Sequence, residues 1–126
     1  MGPFHGNIEK LSRENGDFRR VVGTFAHSQL VLMSLAPGEE IGMETHEHVD
    51  QFFHIEEGEG KAIVDGRHYP LHEGIALVVP AGAEHNIINT GSVPLKLYTI
   101  YSPANHPGGT VHVTKEEALR AEQDHQ

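Results

Sequence analysis

Residues 74–89 read GIALVVPAGAEHNIIN, that is Gly74, five residues, Pro80, one residue, Gly82, two residues, His85, three residues, Asn89. The apolar segment before Pro80 has the composition of a buried strand. Pro80 and Gly82 then turn the chain sharply, because proline presets one backbone angle and glycine adopts conformations closed to other residues. His85 begins the next strand, where its imidazole can point into a closed β-container. Asn89, just before Gly91, suits a structural role in capping that turn.

On both sides of this stretch, short apolar segments alternate with turn residues. FRRVVGTF (18–25), LVLMSLAPGEE (30–40), QFFHIEEGEG (51–60), HNIINTG (85–91) and PLKLYTIYSP (94–103) each read as a strand bounded by Gly or Pro. KAIVDGRHYPL (61–71) reads as a hairpin, with Asp65-Gly66 as its two-residue turn. Strand signals about every ten residues, with no helical period between them, describe an all-β sandwich or barrel. The end differs. Thr114 and Glu117 form a capping box before KEEALRAEQ, which predicts a short C-terminal helix over 115–124. Residues 1–15 are polar and irregular, and are expected to be a flexible arm or an edge strand lent to a neighbouring subunit.

The 126 residues suit one domain, long enough to bury a core without staples. There is no cysteine, so disulfides and thiolate chemistry are excluded. No apolar run approaches the roughly 18 residues of a membrane helix, and MGPFHGNIEK carries no signal-peptide core, so no membrane association and a cytoplasmic location are expected. A formal charge of -9 argues against binding nucleic acid, whose phosphates need a basic face. Eleven histidines are the odd total, and spacing has to decide which of them matter.

Every fixed position and gap in 74–89 resembles the second motif of the cupin family. That family's first motif is Gly, five residues, His, one residue, His, three or four residues, Glu, six residues, Gly. Here His46 and His48 do not fit its gaps, but a frame shifted by two does: Gly38, five residues, Glu44, one residue, His46, four residues, Gln51, six residues, Gly58. In this frame Glu44 stands for the first His and Gln51 for the Glu. The wording DQFFHIEEGEG also resembles small single-domain cupins with Asp-Gln-Phe in motif one. The resemblance implies a double-stranded β-helix, or jelly-roll barrel, and a metal held by Glu44, His46, Gln51 and His85, with His48 as the alternative ligand to Glu44.

The residue types agree with a metal in either frame. Residues 44, 46 and 48 would share a face if one strand ran through them. A carboxylate, two imidazoles and an amide oxygen form a mixed N/O set for a divalent transition metal (Mn, Fe, Co, Ni, Cu or Zn), whereas Mg and Ca prefer all-oxygen shells. Such a site suits an enzyme acting on a small polar or oxygenated molecule, either a dioxygenase or a sugar or keto-acid isomerase. The mannose-6-phosphate isomerase-like label often given to similar proteins rests on fold alone. The alternative is a non-catalytic module that binds or senses a sugar or small acid. The resemblance also implies a homodimer. No catalytic residue is assigned.

Other residues have plainer readings. One of Phe52 and Phe53 must face inward, as must only one of Tyr98 and Tyr101; an inward tyrosine near the metal could donate a proton or position a ligand. His54 falls on the face opposite Gln51 and is read as no ligand. His68, His72, His106, His112 and His125 are read as surface residues, and Glu56, Glu57 and Glu59 as a solvated turn.

Overall fold

The structure, a computed structural model, describes residues 2–124. His125 lies outside the described residues. The chain opens with helix α1 (Ile8–Glu14) and continues through β1 (Arg19–Thr24), β2 (Gln29–Leu35), β3 (Glu44–Thr45), β4 (Asp50–Glu57), β5 (Glu59–Val64), β6 (Arg67–His72), β7 (Ala76–Val79), β8 (Glu84–Asn89), β9 (Leu95–Ser102) and β10 (Val111–His112) to helix α2 (Lys115–Asp124).

These strands form two antiparallel sheets, a six-stranded one in the order β10-β1-β2-β9-β4-β7 and a four-stranded one in the order β3-β8-β5-β6. This is the expected double-stranded β-helix. The inward faces are apolar: Val31, Met33 and Leu35 on β2, Phe53 and Ile55 on β4, Ala62 on β5, Ile87 on β8, and Leu95 and Leu97 on β9 are all buried. Period-two alternation on each strand supplies this core, and burying such side chains contributes about 25 cal/mol per Å² of apolar area.

Turn chemistry agrees with the sequence. Asp65 and Gly66 both have positive φ, 48° and 81°, as a tight hairpin with both central residues left-handed requires. Asn89 is fully engaged. Its Nδ2 donates to the Leu35 and Val93 carbonyls, each at 2.9 Å, while its Oδ1 accepts from Gly91 N at 2.8 Å. At the C-terminal helix, Thr114 Oγ1 accepts from Glu117 N at 3.2 Å, and the Glu117 carboxylate reaches back to Val113 N at 2.9 Å.

The N-terminal stretch departs from expectation. Instead of an irregular arm it holds α1, capped by Asn7 through the Lys10 amide at 3.0 Å. Arg13 tethers this helix to the barrel, with its Nη1 3.2 Å from Glu57 and its Nη2 2.9 Å from Glu73. Lys96 Nζ donates to the Asn15 carbonyl just beyond the helix. Seven residues are too few for a helical period to show in the sequence.

Candidate metal centre

The site forms where β3 meets β8. β3 is only two residues long, and it pairs Glu44 with His85 and Thr45 with Glu84. Gly42, just before it, has φ of 105° and donates its N–H to Asn86 Oδ1 at 2.9 Å, which anchors the approach to the strand. After Thr45 the chain leaves the sheet, and the His46 carbonyl accepts from Gly82 N at 2.9 Å. The Pro80–Gly82 turn of motif two thus holds the middle of motif one, at His46.

Glu44, His46 and His85 each offer a ligand atom, and these atoms lie within 4.8 Å of one another. His46 Nε2 is 2.9 Å from Glu44 Oε2. That contact lacks hydrogen-bond geometry, so Nε2 is buried without a hydrogen-bond partner. His85 Nδ1 lies 3.2 Å from the Ala83 carbonyl. A carbonyl only accepts, so Nδ1 carries the proton and Nε2 presents a lone pair, the tautomer a metal-binding imidazole needs.

Gln51 sits inward on β4, 2 % exposed, opposite Tyr101 on β9. Its Nε2 donates to Thr99 Oγ1 at 3.0 Å, and its Oε1 is buried with no partner. Leaving a buried acceptor unsatisfied costs about 1–3 kcal/mol. Both orphaned atoms, His46 Nε2 and Gln51 Oε1, can present lone pairs, and a cation satisfies lone pairs. The Glu44 carboxylate and the two imidazoles lie together, and with the inward Gln51 amide oxygen they form a donor set that fits a divalent transition metal.

His48 is placed elsewhere. The strand ends at Thr45, residues 47 and 48 form a turn, and the His48 side chain is exposed. The single strand face expected for residues 44, 46 and 48 is therefore not formed, because β3 ends before both histidines; His46 still turns toward Glu44, and His48 does not.

The electrostatics favour an ionised acid. Burial pushes the Glu44 carboxyl up, but its contact with His46 and the charges of His46, Arg19 and His85 outweigh burial and hold it below the usual range. Burial pushes the His85 imidazole down, against partial opposition from the Ala83 carbonyl and Glu44. Tyr101 is the inward tyrosine. Its ring meets the His46 ring edge-on at 5.9 Å, and burial pushes its phenol up to about 12, so the hydroxyl keeps its proton.

Around this cluster the structure assigns places that sequence reasoning passed over. Arg19 is 2 % exposed, in phase with the buried Val21 on β1. An arginine at an inward position of an alternating strand was the available signal. His106 and His112, expected at the surface, are partly buried: His106 Nε2 is 3.2 Å from the Tyr101 hydroxyl, and His112 Nδ1 is 3.3 Å from Arg19 Nη1. Glu56, expected in a solvated turn, is buried and accepts from His54 Nδ1 at 2.6 Å. Phe53 is the inward phenylalanine and packs against the His85 ring at 6.2 Å, while Phe52, His54 and Tyr98 stack on the outer face. His68 and His72 are exposed as expected.

Comparison with known proteins gives a consistent picture. Residues 31–101 match the family described as "Cupin domain". The chain is 49% identical over 126 residues to the uncharacterized protein YrkC of Bacillus subtilis, covering 95% of this chain and 68% of that protein. It superposes on the crystal structure of BH2720 from Bacillus halodurans with a TM-score of 0.92 and 45% identity, covering 94% of this chain and 95% of the other. A shorter match, 33% identical over 70 residues, links it to a mannose-1-phosphate guanylyltransferase of Klebsiella pneumoniae, but covers only 15% of that enzyme. No helix among the described residues is long and apolar enough to cross a membrane.

Proposed function

This chain belongs to the cupin domain family, and we propose that it is a metal-dependent enzyme acting on a small polar or oxygenated molecule, as a dioxygenase or as a sugar or keto-acid isomerase. Glu44, His46 and His85 would hold the ion, with Gln51 Oε1 as the fourth donor. One observation carries the reading: His46 Nε2, buried without a hydrogen-bond partner, lies beside the ionised Glu44 carboxylate, and the inward Gln51 Oε1 is likewise unsatisfied. A divalent transition metal in such a place supplies Lewis acidity toward a bound oxygen atom.

The chain's own residues divide the remaining work. The Ala83 carbonyl fixes the His85 tautomer, so that one ring nitrogen stays free of its proton. Glu44 brings the single negative charge of the donor set, which leaves a divalent site with a net charge of about +1. Gln51 is neutral and cannot act as a base. Tyr101 keeps its proton, so it can orient a ligand oxygen by hydrogen bonding but does not remove a proton. Proton removal, where the reaction needs it, falls to Glu44.

The guanylyltransferase relative does not carry its activity across, since the match spans a small part of that enzyme. The test is elemental analysis of the purified protein, followed by oxygen uptake with catechols, diketones and flavonols. A stoichiometric redox metal with substrate-dependent uptake supports a dioxygenase. A stoichiometric metal without uptake, together with interconversion of a sugar or keto acid, supports an isomerase. A protein that takes up no divalent metal refutes the reading, and one that binds metal and ligand without turnover is a binding module.

A further inference from the structure

Arg19 is buried, and none of the ion pairs among the described residues involves it. Its Nε is buried without a hydrogen-bond partner. Its guanidinium rests over the Phe18 ring at 5.3 Å, and Nη1 donates to His112 Nδ1 at 3.3 Å. The Glu44 charge reaches Arg19 only beyond contact distance. Burying a charge without a contacting counter-ion is costly, and an arginine fork is shaped to receive two oxygens of one anion.

A cavity of about 60 Å³ lies against this side chain, lined by Arg19, His106, Thr110 and His112, with Ala121 and Glu122 contributed by α2. A water needs roughly 10–15 Å³ on this measure, so there is room for the three heavy atoms of a carboxylate. The local charge is also suited to a monoanion. Burial and then the adjacent Arg19 charge push His106 down to about 3 and His112 below its usual value, so both are neutral at pH 7. Arg19 then supplies the one fixed positive charge facing the cavity. Because arginine only donates, His112 Nδ1 must accept, which leaves the proton on His112 Nε2 as a further donor. Of the carboxylates whose charge reaches these histidines, Glu117 and Glu122 are exposed and screened by water, while Glu44 belongs to the neighbouring centre.

We infer that the cavity beside Arg19 is a binding site for a carboxylate monoanion, distinct from the Glu44–His46–His85 centre and joined to it through Tyr101. Tyr101 touches both places. Its ring packs on His46, while its hydroxyl lies beside Arg19 and 3.2 Å from His106 Nε2. The inference does not depend on a metal being bound.

The experiment is a titration of sodium formate into the full chain at constant ionic strength, following the imidazole resonances of His106 and His112. It is done on chelator-treated and on diamagnetic Zn(II)-loaded protein, with chloride and inorganic phosphate as parallel probes, and Mn(II) uptake is measured separately by equilibrium dialysis. Saturable formate-dependent shifts at both histidines, with the exposed His68 unmoved, are expected in the chelator-treated protein. Arg19→Gln is expected to weaken formate binding by about tenfold or more while leaving Mn(II) binding in place. Absence of a saturable formate response in the unmodified protein overturns the inference, whether or not Arg19→Gln folds. Phosphate binding as tightly as formate overturns the carboxylate assignment, and unchanged formate binding in Arg19→Gln overturns the role of Arg19. If the protein fails to take up Mn(II) but still binds formate, the metal reading alone falls.

Discussion

Glu44 and His85 sit directly opposite each other in the β3–β8 ladder, so one pair of cross-strand neighbours joins motif one to motif two. A slip of β3 by one residue would turn Glu44 out of the barrel, while His85 stays held by the pairing of β8 with β5. The site therefore depends on a two-residue strand whose register is held from outside, by Asn86 on Gly42 and by the His46 carbonyl on Gly82.

The first prediction separates the two candidate ligands. Glu44→Ala should lower metal affinity by at least about tenfold, as removal of the only charged donor implies. His48→Ala should leave it within about twofold, because that side chain is exposed. Competition with a chromogenic chelator measures both. The reverse order would exclude Glu44 from the site.

The second concerns Asn89, whose three hydrogen bonds join β2, β8 and the turn at Gly91. Asn89→Ala leaves the Leu35 carbonyl without this buried donor and should cost about 3 kcal/mol in urea denaturation. Metal affinity should hold where the variant is folded, since Asn89 is at the opposite end of β8 from His85.

The third tests close backbone packing. A Cβ on Gly60 would come 2.4 Å from the Ile88 carbonyl oxygen on the paired strand β8. Backbone cannot yield as a flexible side chain can. Gly60→Ala should therefore destabilise by roughly 3 kcal/mol or more, at the upper end for one substitution. A loss below about 1 kcal/mol would show that the strands separate freely there.

The fourth is a pH dependence. Folding lowers the pKa of His85, His106 and His112 from 6.5, so below that value the unfolded chain binds more protons than the folded one. Stability must then fall as pH drops from 6.5, and for His106 the loss continues down to about 3. Each such histidine contributes a slope of about 1.4 kcal/mol per pH unit at most. Glu44, lowered from 4.5, adds the same sign at the acid end. Urea midpoints of chelator-treated protein should decline from pH 7.5 to pH 5, and His106→Gln should flatten the curve.

Much of this architecture was legible because it rests on local rules. The Asp65-Gly66 turn, the Pro80–Gly82 turn and the Thr114–Glu117 cap each need particular residues at fixed offsets, and each is where the sequence put it. Motif spacing likewise pointed to Glu44, His46 and His85, three residues the fold brings together. What escaped depends on tertiary context. The strand that would have carried His48 inward ends three residues short of it, and nothing local announces it. The burial of Arg19, His106 and His112 arises from β10 and the residue 103–110 loop closing over β1, a long-range pairing without a sequence period.

The most direct test of the metal centre is a crystal structure of the metal-loaded protein, with anomalous difference maps recorded on either side of the metal's absorption edge. The account predicts one strong peak at about 2.0–2.2 Å from a Glu44 carboxylate oxygen, His46 Nε2 and His85 Nε2, with Gln51 Oε1 completing the set. A peak held by His48, or lying away from these three side chains, would contradict it.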